Sequence, residues 1–276
     1  MIYEDKDKGI FIKADQINIG ENVSLGNNLT VRAHGKFTLG NYSKLGDNTL
    51  IEGNNIIIGE HFYGSGGMNV GAGGQQHPNA NLIIGDRCVI HNNVINICES
   101  VEIGNDVGFS GRVEIVTHGF WLSVLEGHPA RFEGVKINNG VILGFSSTIL
   151  MGVEIADNVT LGAHSLVTKN LERSNSIYAG APARYIRTLQ PLSEDERVKK
   201  LEKIIEEYLV VAKYQNINPS VALKYPFIEV NDFRINVENF EYEGPEDNET
   251  DNFRDFFRRW GIRVYTKRPF STHFDL

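Results

Sequence analysis

The sequence predicts a mainly β fold, a parallel β-helix of hexapeptide repeats with a protruding loop and a small α+β C-terminal extension. Three observations predict it. Aliphatic residues recur at every sixth position in long series, glycine or asparagine often follows them, and residues 137 to 172 keep strict phase with no insertion. A helix stripe needs a period of about 3.6 and a half-buried strand a period of about 2, so neither accounts for six. A β-sandwich with Gly-rich turns has no reason to hold one phase for so long. The period fits hexads that each supply a short strand and a turn, three of them closing a triangular coil. One coil then advances about 18 residues. Successive coils stack at about 4.8 Å.

In chain order the first hexads are headed by Ile19-Gly20, Leu25-Gly26, Leu39-Gly40 and Leu45-Gly46, with a slip of phase between Lys36 and Leu39. Ile84-Gly85 and Ile90-His91 follow, then Ile97, Ile103-Gly104, Phe109 and Ile115. The last series is Leu143-Gly144, Ile149, Ile155, Leu161-Gly162 and Val167. Each leading side chain is expected to point inward. Residues 64 to 81, rich in glycine and polar residues, read as a distorted coil with a loop. They lack the strand-then-helix setting of a dinucleotide fingerprint.

Charge and composition narrow the function. The chain of 276 residues carries 35 acidic and 27 basic side chains, a formal net charge of -8, which argues against nucleic acid as the partner. No basic leader and no long apolar run is present, so integral membrane association is not expected and a cytoplasmic location is. Cys88 and Cys98 form neither a metal pair nor a disulfide framework and read as small buried side chains.

The repeat stops at Ile115-Val-Thr-His118-Gly-Phe-Trp121 and resumes at Val135, so residues 120 to 136 must bulge from a corner. His118, fourth in its hexad, is expected to face outward. It reads either as a surface histidine beside a decorative loop or as a base, since a neutral imidazole can take a proton from a hydroxyl or amine. Phe120 and Trp121 would wall an acceptor pocket or cover a neighbouring chain. The other histidines are too scattered for a three-histidine zinc site, so no catalytic metal is expected. No G-x-S-x-G elbow is present for a serine hydrolase.

The stretch LGFSSTILMGVEIADNVTLGAHSLVTKN (143 to 170), followed by IYAGAPARYI (177 to 186), resembles the left-handed β-helix acyltransferases with hexapeptide repeats, in the branch that acetylates sugars and xenobiotics. The resemblance spans roughly residues 17 to 189 and supplies the left-handed sense of coiling. It implies an acetyl-coenzyme A-dependent O-acetyltransferase acting on a saccharide by direct transfer, assembled as a homotrimer, with His118 as general base. Where the family often has His-Pro, this chain has His118-Gly119, which puts the start of the loop in doubt. Family matching places Gly144 and Gly162 along the pantetheine path, Thr168 and Lys169 near its outer end, and Lys169 and Arg184 against phosphate. A backbone N–H at Gly144 or a neighbour would stabilise the oxyanion. Asn92, Asn93 and Asn96 are candidates for a sugar hydroxyl, with Phe120, Trp121 and His128 as loop contacts. An amino-sugar N-acetyltransferase and a noncatalytic trimeric scaffold are the other readings.

After residue 189 the composition changes, and 190 to 276 read as a separate extension beyond a β-helix domain of 1 to 189. Ser193-Glu-Asp-Glu196 has the form of a capping box. Val198, Leu201, Ile204, Ile205, Tyr208 and Leu209 then form a helical stripe suited to packing on the solenoid end. One or two strands over 225 to 240 and a short helix with Phe253, Phe256, Phe257 and Trp260 complete the extension.

Overall fold

A computed structural model describes residues 1–71, 73–74 and 76–268. Its contacts divide the chain into two units, Met1–Leu189 and Gln190–Leu276.

The first unit is a β-solenoid. Short strands, mostly parallel, form three sheets of nine, nine and seven strands among the described residues, and their consecutive strands fall in different sheets except for the antiparallel pairs Ile2–Asp5 with Ile10–Lys13 and Ser176–Ala179 with Arg184–Thr188. Call the faces A, B and C by one coil: Val101–Ile103 lies in face B, Gly108–Phe109 in face C and Glu114–Ile115 in face A. Inward side chains stack in columns. Ile95, Ile115 and Ile149 from face A, Ile90 and Leu143 from face C, and Ile155 from face B are fully buried. Stacking like on like buries roughly 1.5–3 kcal/mol of apolar side chain at each step.

Coil length departs from the uniform 18 residues expected. Early coils repeat at 20 or 19 residues, because strands such as Thr30–Ala33 and Lys36–Leu39 run for four residues. The Gly-rich segment stretches the repeat to 26 and the loop stretches it to 34. Only beyond the loop does it settle at 18.

Two of the three corners share one turn chemistry. Asn22, Tyr42, His61, Arg87, Asp106 and Asn158 turn from face B to face C, each with positive φ. Asn28, Asn48, Arg112, Ser146 and His164 do the same between faces C and A. Asparagine and aspartate also tie coil to coil. The Oδ1 of Asn105 accepts from Asp86 N–H at 2.7 Å, that of Asn139 from Asn105 N–H at 2.9 Å and that of Asp157 from Asn139 N–H at 2.9 Å. Such ladders satisfy the backbone donors that a tight corner leaves outside the sheets.

The corner from face A to face B is the irregular one, and it carries both interruptions. The Gly-rich segment contains face A strand Asn69–Gly71 and interrupts the coil after it, and the loop follows face A strand Glu114–Ile115. The strand order puts these two coils on either side of the one that carries Val94–Asn96.

In the second unit, α1 (Glu194–Tyr214) begins with the capping box at Ser193 and Glu196. Its stripe, Leu201, Ile204, Ile205, Tyr208 and Ala212, is buried with Phe253, Phe256 and Phe257 of α2 (Asn248–Arg258) and with Ile228, Phe233 and Ile235 of a four-stranded antiparallel sheet. The stripe therefore serves this unit's own core. Leu209, expected in it, is 39% exposed, and Ala212 takes the buried place. The sheet has four strands where one or two were expected, because a meander needs three or more to hide one face. Trp260 lies just past α2 and is partly exposed.

Candidate functional site

The face A to face B corner gathers a set of residues around His118. Ile115 points into the prism and is fully buried. His118, three residues on, is half-buried and opens a two-stranded antiparallel ribbon, His118–Gly119 with Arg131–Phe132, that carries the loop away from the solenoid. His118 and Phe132 are register partners, and their rings lie 6.2 Å apart at 13°. Phe120 stands 5.5 Å from the imidazole and 5.4 Å from Phe132, so the ring sits in a small aromatic bracket.

The imidazole Nδ1 lies 2.7 Å from Oδ1 of Asn96. That amide oxygen also takes the Thr117 backbone N–H at 3.2 Å and the Thr117 hydroxyl at 2.5 Å. The Asn96 amide N–H donates to the Gly71 carbonyl at 2.9 Å. Opposite, the Gly-rich segment crosses the intervening coil. Gly74 packs on Cys98, and a methyl at Gly73 would stand 3.7 Å from Cε1 and 4.0 Å from Nε2 of His118. Two interruptions far apart in the chain thus meet at one imidazole.

The sequence-derived candidates separate by corner. Register carries Ile115 to Ile149 to Val167, so Thr168 and Lys169 leave the same corner as His118, two coils further along the stack. Gly144 and Gly162 follow Leu143 and Leu161 of face C and lie at the face C to face A corner. Arg184 pairs with Ala179, whose Cβ would lie 2.9 Å from one built on Gly162, so it belongs with the glycines. Lys169 and Arg184 are exposed, and neither has an ion-pair partner among the described residues.

Several expectations need correction. The Gly144 N–H donates to the Leu161 carbonyl at 2.9 Å and is not free for an oxyanion. Its missing side chain is explained by stacking, since a Cβ there would meet Ala163 N and Leu161 O at 2.5 Å. Asn93 and Asn96 are 1% and 5% exposed and cannot present amides to a sugar. Asn93 Oδ1 caps Val113 N–H at 2.6 Å, and Asn96 serves His118. Asn92 is exposed but sits at the face C to face A corner with Gly67 and Gly111. Trp121 and His128 are exposed on the loop, and among the described residues neither is joined to the imidazole by a ring contact or hydrogen bond. Phe132, Thr117 and Gly73 were not foreseen. Phe132 could have been suspected as an aromatic near the loop's return; the other two carry no sequence signal.

Neither thiol is prepared as a nucleophile. Burial pushes Cys88 up to about 12, and burial also raises Cys98. Among the described residues no group of three or more His, Cys, Asp or Glu could hold a metal ion, and no helix is long and apolar enough to cross a membrane.

No family model and no curated protein matches the chain. Solved structures do. The polysialic acid O-acetyltransferase OatWY aligns at 23% identity over 65% of this chain and 89% of its own, with a TM-score of 0.51. A hexapeptide-repeat acetyltransferase from Vibrio cholerae aligns at 20% identity over 49% of this chain and 74% of its own, with a TM-score of 0.43. The N-acyltransferase AntD of Bacillus cereus, in complex with dTDP and coenzyme A, aligns at 18% identity over 69% and 91%, with a TM-score of 0.42. The OatWY alignment carries the conclusion, and it concerns the fold: the chain is built on the hexapeptide-repeat β-solenoid that this acetyltransferase also adopts.

Proposed function

We propose that the protein is an acetyl-coenzyme A-dependent O-acetyltransferase acting on a saccharide, with His118 as general base. The observation that carries the reading is the half-buried imidazole at the one irregular corner, bracketed by Phe120 and Phe132 and anchored through Nδ1. Nε2 accepts the proton of a sugar hydroxyl as its oxygen attacks the thioester carbonyl. The imidazolium then returns that proton to the departing thiolate of coenzyme A. No acyl-enzyme forms, in keeping with thiols held protonated by burial. Orientation of two bound substrates supplies much of the rate gain.

Acetyl-coenzyme A would lie along the outside of the coils, with Thr168 and Lys169 on the corner below His118 and Lys169 and Arg184 meeting phosphate. Because Gly144, Gly162 and Arg184 occupy another corner, a cleft using both groups is completed by a second copy, as in a homotrimer. Light scattering that found only monomers would remove this arrangement. The exposed loop side chains Phe120, Trp121 and Leu125 would border the acceptor or the neighbouring copy. A cytoplasmic location, where acetyl-coenzyme A is available, completes the proposal.

The test is thiol release coupled to acetylated product, with purified protein, acetyl-coenzyme A and a panel of sugars and amino sugars. Transfer to hydroxyls is expected; exclusive transfer to amines would redirect the reading to N-acetylation. His118→Ala is expected to lose on the order of 100- to 10,000-fold in kcat while keeping its fold. Full activity in that variant would remove His118 as the base.

A further inference from the structure

We infer that Asn96 is a positioning residue for His118: its side-chain amide holds the imidazole in the one tautomer whose Nε2 lone pair is open to an acceptor. The inference rests on the reading of His118 as the base and adds what selects the reactive nitrogen.

A backbone N–H can only donate, and that of Thr117 points at Oδ1 of Asn96 at 3.2 Å. The atom facing it must be the amide oxygen, because a flipped amide would set donor against donor. The other end agrees, since the amide nitrogen donates to the Gly71 carbonyl at 2.9 Å. With the amide fixed at both ends, the atom facing His118 Nδ1 at 2.7 Å is an acceptor. An unprotonated Nδ1 would oppose its lone pair to that oxygen, so Nδ1 carries the hydrogen and Nε2 does not. Burial strengthens the preference, because Asn96 is 5% exposed and water cannot replace the bond cheaply.

The partner is also neutral. A carboxylate in this place would favour the imidazolium strongly, whereas an amide orients the ring and adds no charge. Phe120, Phe132 and the backbone at Gly73, which also flank the ring, are uncharged. Asn96 further links the base to the Gly-rich segment through Gly71, so ring and facing wall are set by one side chain.

Nitrogen NMR of protein labelled at histidine tests this in the wild type, with the His118 signals identified by their loss in His118→Gln. With the ring neutral, Nδ1 is expected to show a protonated shift and Nε2 an unprotonated one. The reverse pattern, or an even mixture, would overturn the inference. This readout needs no activity, so it stands apart from failure of the acetyl transfer itself. In Asn96→Ala the tautomers are expected to mix, with kcat falling on the order of 10- to 100-fold and KM for acetyl-coenzyme A unchanged. Unaltered kcat in a folded Asn96→Ala protein would also count against it. Should that variant not fold, the wild-type spectrum alone decides.

Discussion

Glycine and histidine meet at the residue scale. Gly73 has φ of 107° and faces the Cε1 and Nε2 edge of His118, so its lack of a side chain keeps that edge of the imidazole approachable. Gly73→Ala would place a methyl at van der Waals distance from Nε2 of His118 and strain the backbone. It is expected to cut kcat/KM for the acceptor at least severalfold while leaving coenzyme A binding unchanged, measured by steady-state kinetics and calorimetry. Cys88 gives a pH prediction. Its thiol titrates near 9.0 when unperturbed and at about 12 when buried, so the folded state keeps a proton that the unfolded state releases. The stability this contributes is complete below pH 9.0 and declines as the pH rises toward about 12. Cys88→Ala is expected to lose less melting temperature than the wild type over that window.

Among elements, the loop and the corners show opposite tolerance. Trp121 and Leu125 are 90% and 94% exposed, so Trp121→Ala and Leu125→Ala should change the denaturation midpoint negligibly, within about 0.5 kcal/mol. Any large effect on transfer would then report contact with acceptor or partner. Gly144 behaves otherwise, because an added Cβ would strike backbone atoms of the following coil, which no rotamer change can relieve. Gly144→Ala is expected to destabilise the solenoid by roughly 1–3 kcal/mol in a denaturant titration. A neutral result would mean that the coils can separate locally without loss.

Two cores hold the whole molecule, and each has a vulnerable point. Ile149 is fully buried in the prism, and Ile149→Ala should cost about 2–5 kcal/mol. In the C-terminal unit, Arg254 and Asp251 are 1% and 3% exposed and joined at 2.6 Å, with Arg268 also on Asp251 at 2.6 Å. Asp251→Ala would leave Arg254 buried without its counter-charge. The expected loss is about 3–5 kcal/mol, seen as an earlier denaturation midpoint. Burial pulls the Arg254 guanidinium below its ordinary range, and Asp251 acts against that pull.

The amino-acid order by itself determined the solenoid, the position of the large loop and the helix start at Ser193, because these rest on local signals: the six-residue period, its interruption at His118 and a capping box. The outward placement of His118 was legible for the same reason. Period counting could not reveal that Asn96 is hydrogen-bonded to His118, nor that Gly73 lies beside the imidazole. Residues two coils apart in a stack are near in space and remote in sequence, and a side chain's exposure is decided by whatever the next coil lays over it. Tertiary structure alone therefore decided that Asn96 is buried against the His118 imidazole, that Gly73 faces it and that the glycine column turns a different corner.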